Sequence, residues 1–225
     1  MYADDVVLLS PSVAGLSKLI SLCGEFGKTC NVLYNAKKSV VLACRSKHMK
    51  DLILPRLSIE GVPLKEVDHV KYLGHIISNN AYSDDLDIDR QCKQMYKQGN
   101  VLIRRFHMCS VAAKTRLFTA FCSSMYTAHL WSNYRQCMLR RLMVAYHTVL
   151  KTMLGISRYE SSSHTCVVHR VPHCAVLIRQ RIYNFMCRLS TCDSELVKKI
   201  ENSSVKYRSR LRRHWNQQLY VHFGT

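Results

Sequence analysis

Apolar residues in the first part of the chain form short runs separated by turn-forming positions. Residues 6–9 and 39–44 are apolar and partly β-branched, as in strands covered by the rest of a fold. Between them, apolar residues from 16 to 26 recur at helical spacing, with Ser12 suited to cap the helix start and Gly27 to end it. The pattern predicts a strand, a helix and a second strand in this order.

Two hairpins are predicted downstream of these elements. Ile59 and Leu64 flank a turn-like connection at residues 60–63, and residues 70–77 alternate in polarity around Gly74. The first 80 residues are therefore predicted to be mixed α/β.

Beyond residue 80 the apolar spacing becomes helical. Four acids that favour a helix N-terminus mark the change: Asp84, Asp85, Asp87 and Asp89. Residues 139–153 hold one apolar face that Gly155 can end, and residues 178–189 repeat the pattern. We predict an α+β chain in three segments, the first mixed and the other two mainly helical: residues 1–80, 84–155 and 156–225.

The charge balance indicates a polyanionic partner. Lys and Arg number 33 against 15 Asp and Glu, and 48% of the residues are hydrophobic, which fits a folded basic protein. No acid lies between Asp89 and Glu160, and a second acid-free stretch follows Glu201. Such stretches are typical of a surface that follows phosphates, although a solvated basic surface without a ligand is the simpler alternative. We predict that nine basic residues of the first stretch bind nucleic acid: Arg90, Lys93, Lys97, Arg104, Arg105, Lys114, Arg116, Arg140 and Arg141.

The eleven cysteines do not indicate a secreted, disulfide-bonded protein. Their number is odd, and the chain opens without the pattern of a signal peptide. Every apolar run is interrupted by Lys, Arg or His well before the ~20 residues that a membrane span needs. The expectation is an intracellular protein, in the nucleus or the cytoplasm, with no membrane partner.

The sequence Tyr2-Ala3-Asp4-Asp5 lies directly before the first predicted strand. Two adjacent carboxylates projecting from a hairpin tip are hard oxygen ligands of the type that Mg²⁺ prefers, and Tyr2 can pack into the sheet below. We therefore predict Asp4 and Asp5 to be metal ligands, with Mg²⁺ as the cofactor.

Four motifs in this order resemble the reverse transcriptase of non-LTR (LINE-type) retrotransposons. They are Tyr2-Ala3-Asp4-Asp5, the helix at 16–26, Asn35-Ala36-Lys37-Lys38-Ser39, and Lys71-Tyr72-Leu73-Gly74. Weaker similarity continues through residues 90–131 and 155–188, so nearly the whole chain is covered. The resemblance implies that the three predicted segments are the C-terminal part of a palm, a helical thumb, and a post-thumb region with a basic tail.

The resemblance also implies roles for individual residues. Asp4 and Asp5 are expected to be catalytic metal ligands, and Lys38 is expected to give a proton or positive charge to the leaving pyrophosphate. Lys37 is adjacent, and the sequence leaves open which of the two faces the site. The hairpin at Tyr72, Leu73 and Gly74 corresponds to the grip on the primer 3′ end. The implied partners are an RNA template and a DNA primer.

The chain departs from this family at its start. The family places a third carboxylate and the fingers before the Tyr-x-Asp-Asp turn, whereas here the turn begins at residue 2. With two carboxylates Mg²⁺ is expected to be held weakly, and we expect no polymerase activity from the chain by itself. The alternative function is a non-catalytic basic module that binds nucleic acid through the helical part.

Three further patterns give alternatives. His164, Cys166, His169, His173 and Cys174 are all zinc-ligand types, but without a Cys-x-x-Cys pair their spacing makes a zinc site unfavoured. A Cys–His nucleophile is not indicated by any one pair. Some aromatic residues lie near arginines and are candidates either for stacking on bases or for an ordinary core: Trp131, Tyr134, Tyr207 and Trp215.

Overall fold

The computed structural model describes residues 4–45, 54–203 and 209–220. The chain divides into two compact units, the first made of Met1–Tyr72 with Ile77–Ala81 and the second of Leu73–Ile76 with Tyr82–Thr225. Up to residue 80 the elements are α1 (Val13–Cys30), β1 (Val40–Leu42), β2 (Ser58–Ile59), β3 (Val62–Pro63), β4 (Lys65–Val67), β5 (His69–Tyr72) and β6 (His75–Ser78). The later elements are α2 (Asp85–Arg105), α3 (Val111–Cys122), a 3₁₀ turn (Ala128–Leu130), α4 (Gln136–Leu154), α5 (Ser162–Val168), α6 (Cys174–Ser190), α7 (Glu195–Asn202) and α8 (Arg210–Tyr220).

The fold is α+β, with its strands before residue 80 and its helices mainly after it. The predicted start of the first helix is confirmed, because the Ser12 hydroxyl accepts a hydrogen bond from the Gly15 amide at 3.1 Å. Its predicted end is wrong. The helix continues past Gly27 to Cys30 and is closed by Asn31, which takes the left-handed conformation with φ of 54°.

The strand predicted at residues 6–9 is also wrong. Asp5 forms an isolated bridge, and residues 6–10 have no regular secondary structure. Val6, Val7 and Leu9 are exposed. An apolar run becomes a strand only when a neighbour accepts its backbone hydrogen bonds, and within the described residues none pairs with this segment.

Both predicted hairpins are confirmed. β2 pairs antiparallel with β3, and β5 pairs with β6, whereas β1 pairs parallel with β4. In each hairpin the two turn residues have positive φ, which two-residue loops of this kind require. The second turn has Leu73 at 46° and Gly74 at 82°. Glycine is needed there because this conformation is costly for a residue with a Cβ.

The second unit is built on the packing of α2 against α4, to which α3 and α6 are added. Its buried core includes Ile88, Phe118, Leu142, Tyr146 and Ile182, all fully inaccessible to solvent. The helical periods predicted within residues 139–153 and 178–189 are confirmed as parts of α4 and α6, and Gly155 caps α4 with φ of 71°. None of the helices in the described part of the chain has the length and apolarity to cross a membrane.

Two buried histidines make the stability of the second unit depend on pH. The pKa of His129 is lowered to about 4 by burial and then by the charge of Arg188. The pKa of His147 is also lowered to about 4, by burial and then by His173, whose ring lies 4.4 Å away between centroids. Both rings are therefore neutral in the folded chain at pH 7.

We expect the free energy of unfolding to fall as the pH is lowered from about 6.5 towards 4. In this range the unfolded chain binds protons that the folded chain excludes, so each histidine contributes a slope of up to ~1.4 kcal/mol per pH unit. The stabilisation is complete above the unfolded pKa and is lost as the pH approaches the folded pKa. Urea titrations at several pH values, followed by tryptophan fluorescence, measure this slope because Trp131 and Trp215 are both buried in the second unit.

A pair of substitutions at His147 separates titration from packing. His147→Phe and His147→Gln both remove the ionisable ring, so both should lower the slope equally, by up to ~1.4 kcal/mol per pH unit. At pH 7.5 His147→Phe should be the more stable of the two variants. The His147 Nε2 atom is buried without a hydrogen-bond partner among the described residues, and phenylalanine removes this polar group whereas glutamine keeps one. A slope identical to that of the unsubstituted chain would contradict this account.

Candidate nucleic-acid interface

The acidic pair at the start of the chain lies on the surface. Asp4 is in a turn and Asp5 in the isolated bridge, and both are exposed. Tyr2 and Ala3 lie outside the described residues. Among the described residues no group of three or more His, Cys, Asp or Glu is placed to hold a metal ion.

The Asn-x-x-Lys-Ser stretch folds around Asn35. The Asn35 carbonyl accepts hydrogen bonds from the Lys38 amide at 3.1 Å and from the Ser39 amide and hydroxyl at 3.0 Å each. The Asn35 side-chain oxygen accepts from the Lys38 amide at 3.2 Å. The spacing of Asn35, Lys38 and Ser39 in the motif is therefore the spacing of a compact, hydrogen-bonded turn. Lys37 and Lys38 both expose their side chains.

Asp87, which was predicted only to favour a helix N-terminus, accepts five hydrogen bonds close to the turn of the second hairpin. It is fully buried at the beginning of α2. Its Oδ1 accepts from the Ile76 amide at 3.2 Å and from the Arg90 Nε at 2.8 Å. Its Oδ2 accepts from His75 Nδ1 at 3.0 Å, from the Thr127 hydroxyl at 2.7 Å and from Trp131 Nε1 at 2.9 Å.

Five donors make this carboxylate an anion in the folded chain. Burial raises the pKa of Asp87, but the hydrogen bonds from His75, Arg90, Trp131 and Thr127 outweigh it and hold the pKa well below the usual range of an aspartate. The negative charge is therefore present at neutral pH and is retained far into acid. The group joins the hairpin turn, α2 and the segment from Thr127 to Trp131.

The two preceding aspartates attach α2 to the segment that leads into α4. One Asp84 oxygen accepts from the Ser132 and Asn133 amides, both at 2.7 Å. Asp85 accepts from the amide of Arg135 at 2.9 Å and from its Nε at 2.6 Å. The aspartates that predicted a helix start therefore also accept hydrogen bonds from residues about 50 positions away.

The basic residues that the structure describes fall into two groups, those that pair with a carboxylate and those that do not. The first group is ion-paired: Arg90 with Asp87, Lys93 and Arg141 with Asp89, and Arg135 with Asp85. Lys151 is buried, and its ammonium donates to the carbonyls of Arg158 and Glu160. The second group has no carboxylate within ion-pair distance among the described residues: Lys97, Arg104, Arg105, Lys114, Arg116 and Arg140.

The unpaired group faces solvent on α2, α3 and α4. Lys97, Arg104, Arg105, Arg116 and Arg140 are exposed, and Lys114 is half-buried. Lys97 and Arg104 are seven residues apart, which places them on the same side of α2 at a separation of about 10 Å along its axis. That distance covers about three successive phosphates along one strand of a duplex. We call Lys97, Arg104, Arg105, Lys114 and Arg116 the α2–α3 basic surface.

Three of the four aromatic residues considered for base stacking pack in or against the core. Trp131 and Trp215 are 1% and 4% exposed, and Trp215 Nε1 donates to the His129 carbonyl at 2.7 Å. Tyr134 packs edge-on against His214. Tyr207 lies outside the described residues. The tryptophans are thus held by hydrogen bonds inside the second unit and are not free to stack on bases.

Comparisons with protein-family models, with curated proteins and with solved structures find no match to this chain.

Proposed function

We propose that this chain is part of an RNA-directed DNA polymerase of the non-LTR retrotransposon type, and that its second unit binds an RNA–DNA hybrid along the α2–α3 basic surface. The observation that carries the proposal is the set of exposed cations left without a carboxylate partner among the described residues. Asp85, Asp87 and Asp89 at the start of α2 are paired with other cations. The cations of the α2–α3 basic surface are therefore free to neutralise the phosphates of a ligand.

The order of the motifs supports the polymerase assignment. The Tyr-Ala-Asp-Asp sequence, the turn centred on Asn35 and the hairpin through Tyr72 follow one another as in the resembling family. Residues 1–80 are then the palm portion, and the helices after residue 84 are the thumb and post-thumb regions. The proposed roles of Asp4, Asp5 and Lys38 are those of the family's active site.

A non-catalytic nucleic-acid-binding module is the second candidate. It is favoured by the lack of a third ligand near Asp4 and Asp5 among the described residues. Primer extension on an RNA template with Mg²⁺ separates the two candidates. Extension that Asp4→Asn abolishes supports the polymerase, whereas hybrid binding without extension supports the module.

Removing two cations from the α2–α3 basic surface should weaken binding and change its salt dependence. A plot of the logarithm of the binding constant against the logarithm of the salt concentration falls with a negative slope. For Lys97→Gln/Arg104→Gln we expect this slope to be less steep by roughly 2, and the affinity at physiological salt to fall about tenfold. The measurement is fluorescence anisotropy of a labelled RNA–DNA hybrid over a series of salt concentrations.

A matched variant controls for net charge. Lys18 and Lys28 are exposed on α1, so Lys18→Gln/Lys28→Gln removes the same charge from the first unit. This control should keep the salt slope of the unsubstituted chain. Equal losses in both double variants would mean that binding reflects net charge alone, and the proposed surface would be wrong.

A further inference from the structure

A groove lies in the second unit where the chain leaves α5 and enters α6. Its volume is about 480 Å³, which is within the range of ~300–1,000 Å³ that is typical of ligand sites. The wall is mostly apolar, and Val167 and Val176 on it are exposed. We call this cavity the α5–α6 groove, and its lining includes Val167, Arg170, Val171, Pro172, His173 and Val176.

The end of α5 that borders the groove has the hydrogen bonds of a Schellman motif. The Arg170 amide donates to the Val167 carbonyl at 3.1 Å, and the Val171 amide donates to the Cys166 carbonyl at 2.9 Å. The motif requires a left-handed residue just past the helix cap, and glycine is the usual choice there. Here the residue is Arg170, with φ of 52°. Arginine therefore occupies a backbone position where glycine would be less strained.

The charge of Arg170 is available to a ligand. Arg170 is exposed, and among the described residues no carboxylate lies within ion-pair distance of it. The sequence has no Asp or Glu between Glu160 and Asp193, so α5 and α6 bring no acid of their own to the groove. A strained backbone is often found where a side chain contacts a ligand, and a free guanidinium binds a carboxylate well.

The wall of the groove does not resemble a surface for nucleic acid. It shares no residue with the α2–α3 basic surface, and the described residues that line it include one arginine but no Lys, Phe, Tyr or Trp. Grooves that follow a single strand combine several cations with aromatic rings on which the bases stack. An aliphatic wall beside one guanidinium instead matches an aliphatic side chain that lies next to a carboxylate.

We propose that the α5–α6 groove binds a segment of a partner protein in which an aliphatic residue is adjacent to Asp or Glu. The aliphatic side chain packs against Val167, Val171 and Val176, and the carboxylate pairs with Arg170. This site would give the chain a protein partner in addition to nucleic acid. The proposal does not depend on the polymerase assignment.

A phage-displayed library of random peptides, selected on the full chain at physiological salt, tests the chemistry of the ligand. We expect the enriched peptides to share an aliphatic residue adjacent to Asp or Glu. One of them is then synthesised with a fluorescent label, and its affinity for variants of the chain is measured by anisotropy.

Arg170→Gly separates binding from folding. We expect this variant to bind the labelled peptide at least about tenfold more weakly, because the guanidinium is lost. Its urea midpoint should equal or exceed that of the unsubstituted chain, because glycine suits the left-handed position. Lys18→Gln removes the same charge from α1 and should keep the affinity within twofold.

Two neighbouring valines test the apolar wall. Val167 lines the groove and is 76% exposed, whereas Val168 is 57% exposed and is not among the residues that line it. Val167→Asp and Val168→Asp add the same charge to the same helix. We expect a loss of at least about tenfold in peptide affinity for Val167→Asp and a loss within threefold for Val168→Asp.

Each other outcome overturns the proposal. Enriched peptides that lack acids, or that are acidic without an aliphatic residue, would show that the groove does not select this pair. Equal losses in Arg170→Gly and Lys18→Gln would reduce binding to net charge. No enrichment at all would exclude a peptide ligand, and binding of a labelled single-stranded RNA that Arg170→Gly weakens would then assign the groove to nucleic acid.

Discussion

Asp87→Ala should destabilise the second unit by about 3–5 kcal/mol, the usual cost of removing one member of a buried charged network. The substitution leaves the Ile76 amide, the Thr127 hydroxyl and the Trp131 indole without their acceptor in a site closed to solvent. Each such unsatisfied donor is costly because water cannot replace the lost partner. The Arg90 guanidinium also loses its counter-charge.

Asp89→Ala is the matched control on the same helix. Asp89 pairs with Lys93 at 2.6 Å and with Arg141 at 3.1 Å, but both cations are mostly exposed. Exposed ion pairs contribute little, so the expected loss is below about 1 kcal/mol. Urea unfolding followed by tryptophan fluorescence reports directly on this site, since Trp131 donates to Asp87. Equal losses of unfolding free energy in Asp87→Ala and Asp89→Ala would contradict this account. They would show that the five hydrogen bonds to Asp87 stabilise the fold no more than an exposed ion pair does.

Gly99→Ala should destabilise the second unit by about 2–3 kcal/mol, although alanine favours a helix more than glycine does. Gly99 is buried in α2, and the side chain of Val149 in α4 lies against it. An added Cβ would overlap Cγ1 of Val149 and lie 3.1 Å from its Cγ2. Since both helices belong to the core, neither can move without opening other contacts.

The steric origin of this effect has a direct test by double substitution. Val149→Ala creates space for the new methyl group, so the cost of Gly99→Ala in that background should fall by at least about 1 kcal/mol. Gly24→Ala is the opposite case, because among the described residues no atom outside the local backbone of α1 lies within 4 Å of a Cβ built at this position. It should be neutral or stabilise by up to about 1 kcal/mol. Strict additivity of the substitutions at 99 and 149 would contradict the proposed contact.

Local patterns predicted much of the secondary structure. The hairpin around Gly74 follows from alternating polarity on both sides of a glycine, and the start of α1 follows from the hydroxyl of Ser12. These features depend on neighbours within a few residues. The strand at 6–9 failed because a strand depends on a partner elsewhere in the fold, which an apolar run does not specify.

The nine basic residues predicted to bind nucleic acid were chosen from an acid-free stretch, and the sequence did not show which of them pair with aspartates. The cations between Asp89 and Glu160 indicated a positive field, but four of them are paired with Asp85, Asp87 and Asp89. Arg90 and Lys93 lie one turn from their partners, so spacing along a helix could have indicated these pairs. Arg135 and Arg141 pair with Asp85 and Asp89 from about 50 residues away along the chain. Only tertiary structure brings these groups together, and the same holds for Trp131 at Asp87.

Acetylation of lysines in the presence of an RNA–DNA hybrid, read by mass spectrometry, tests the central claim most directly because it locates the ligand residue by residue. At a hybrid concentration where anisotropy shows saturation, Lys97 and Lys114 should lose most of their reactivity. Lys18 and Lys28, exposed on α1, should keep theirs. Protection of all four lysines to the same extent, or of the α1 pair alone, would contradict a nucleic-acid interface on α2 and α3.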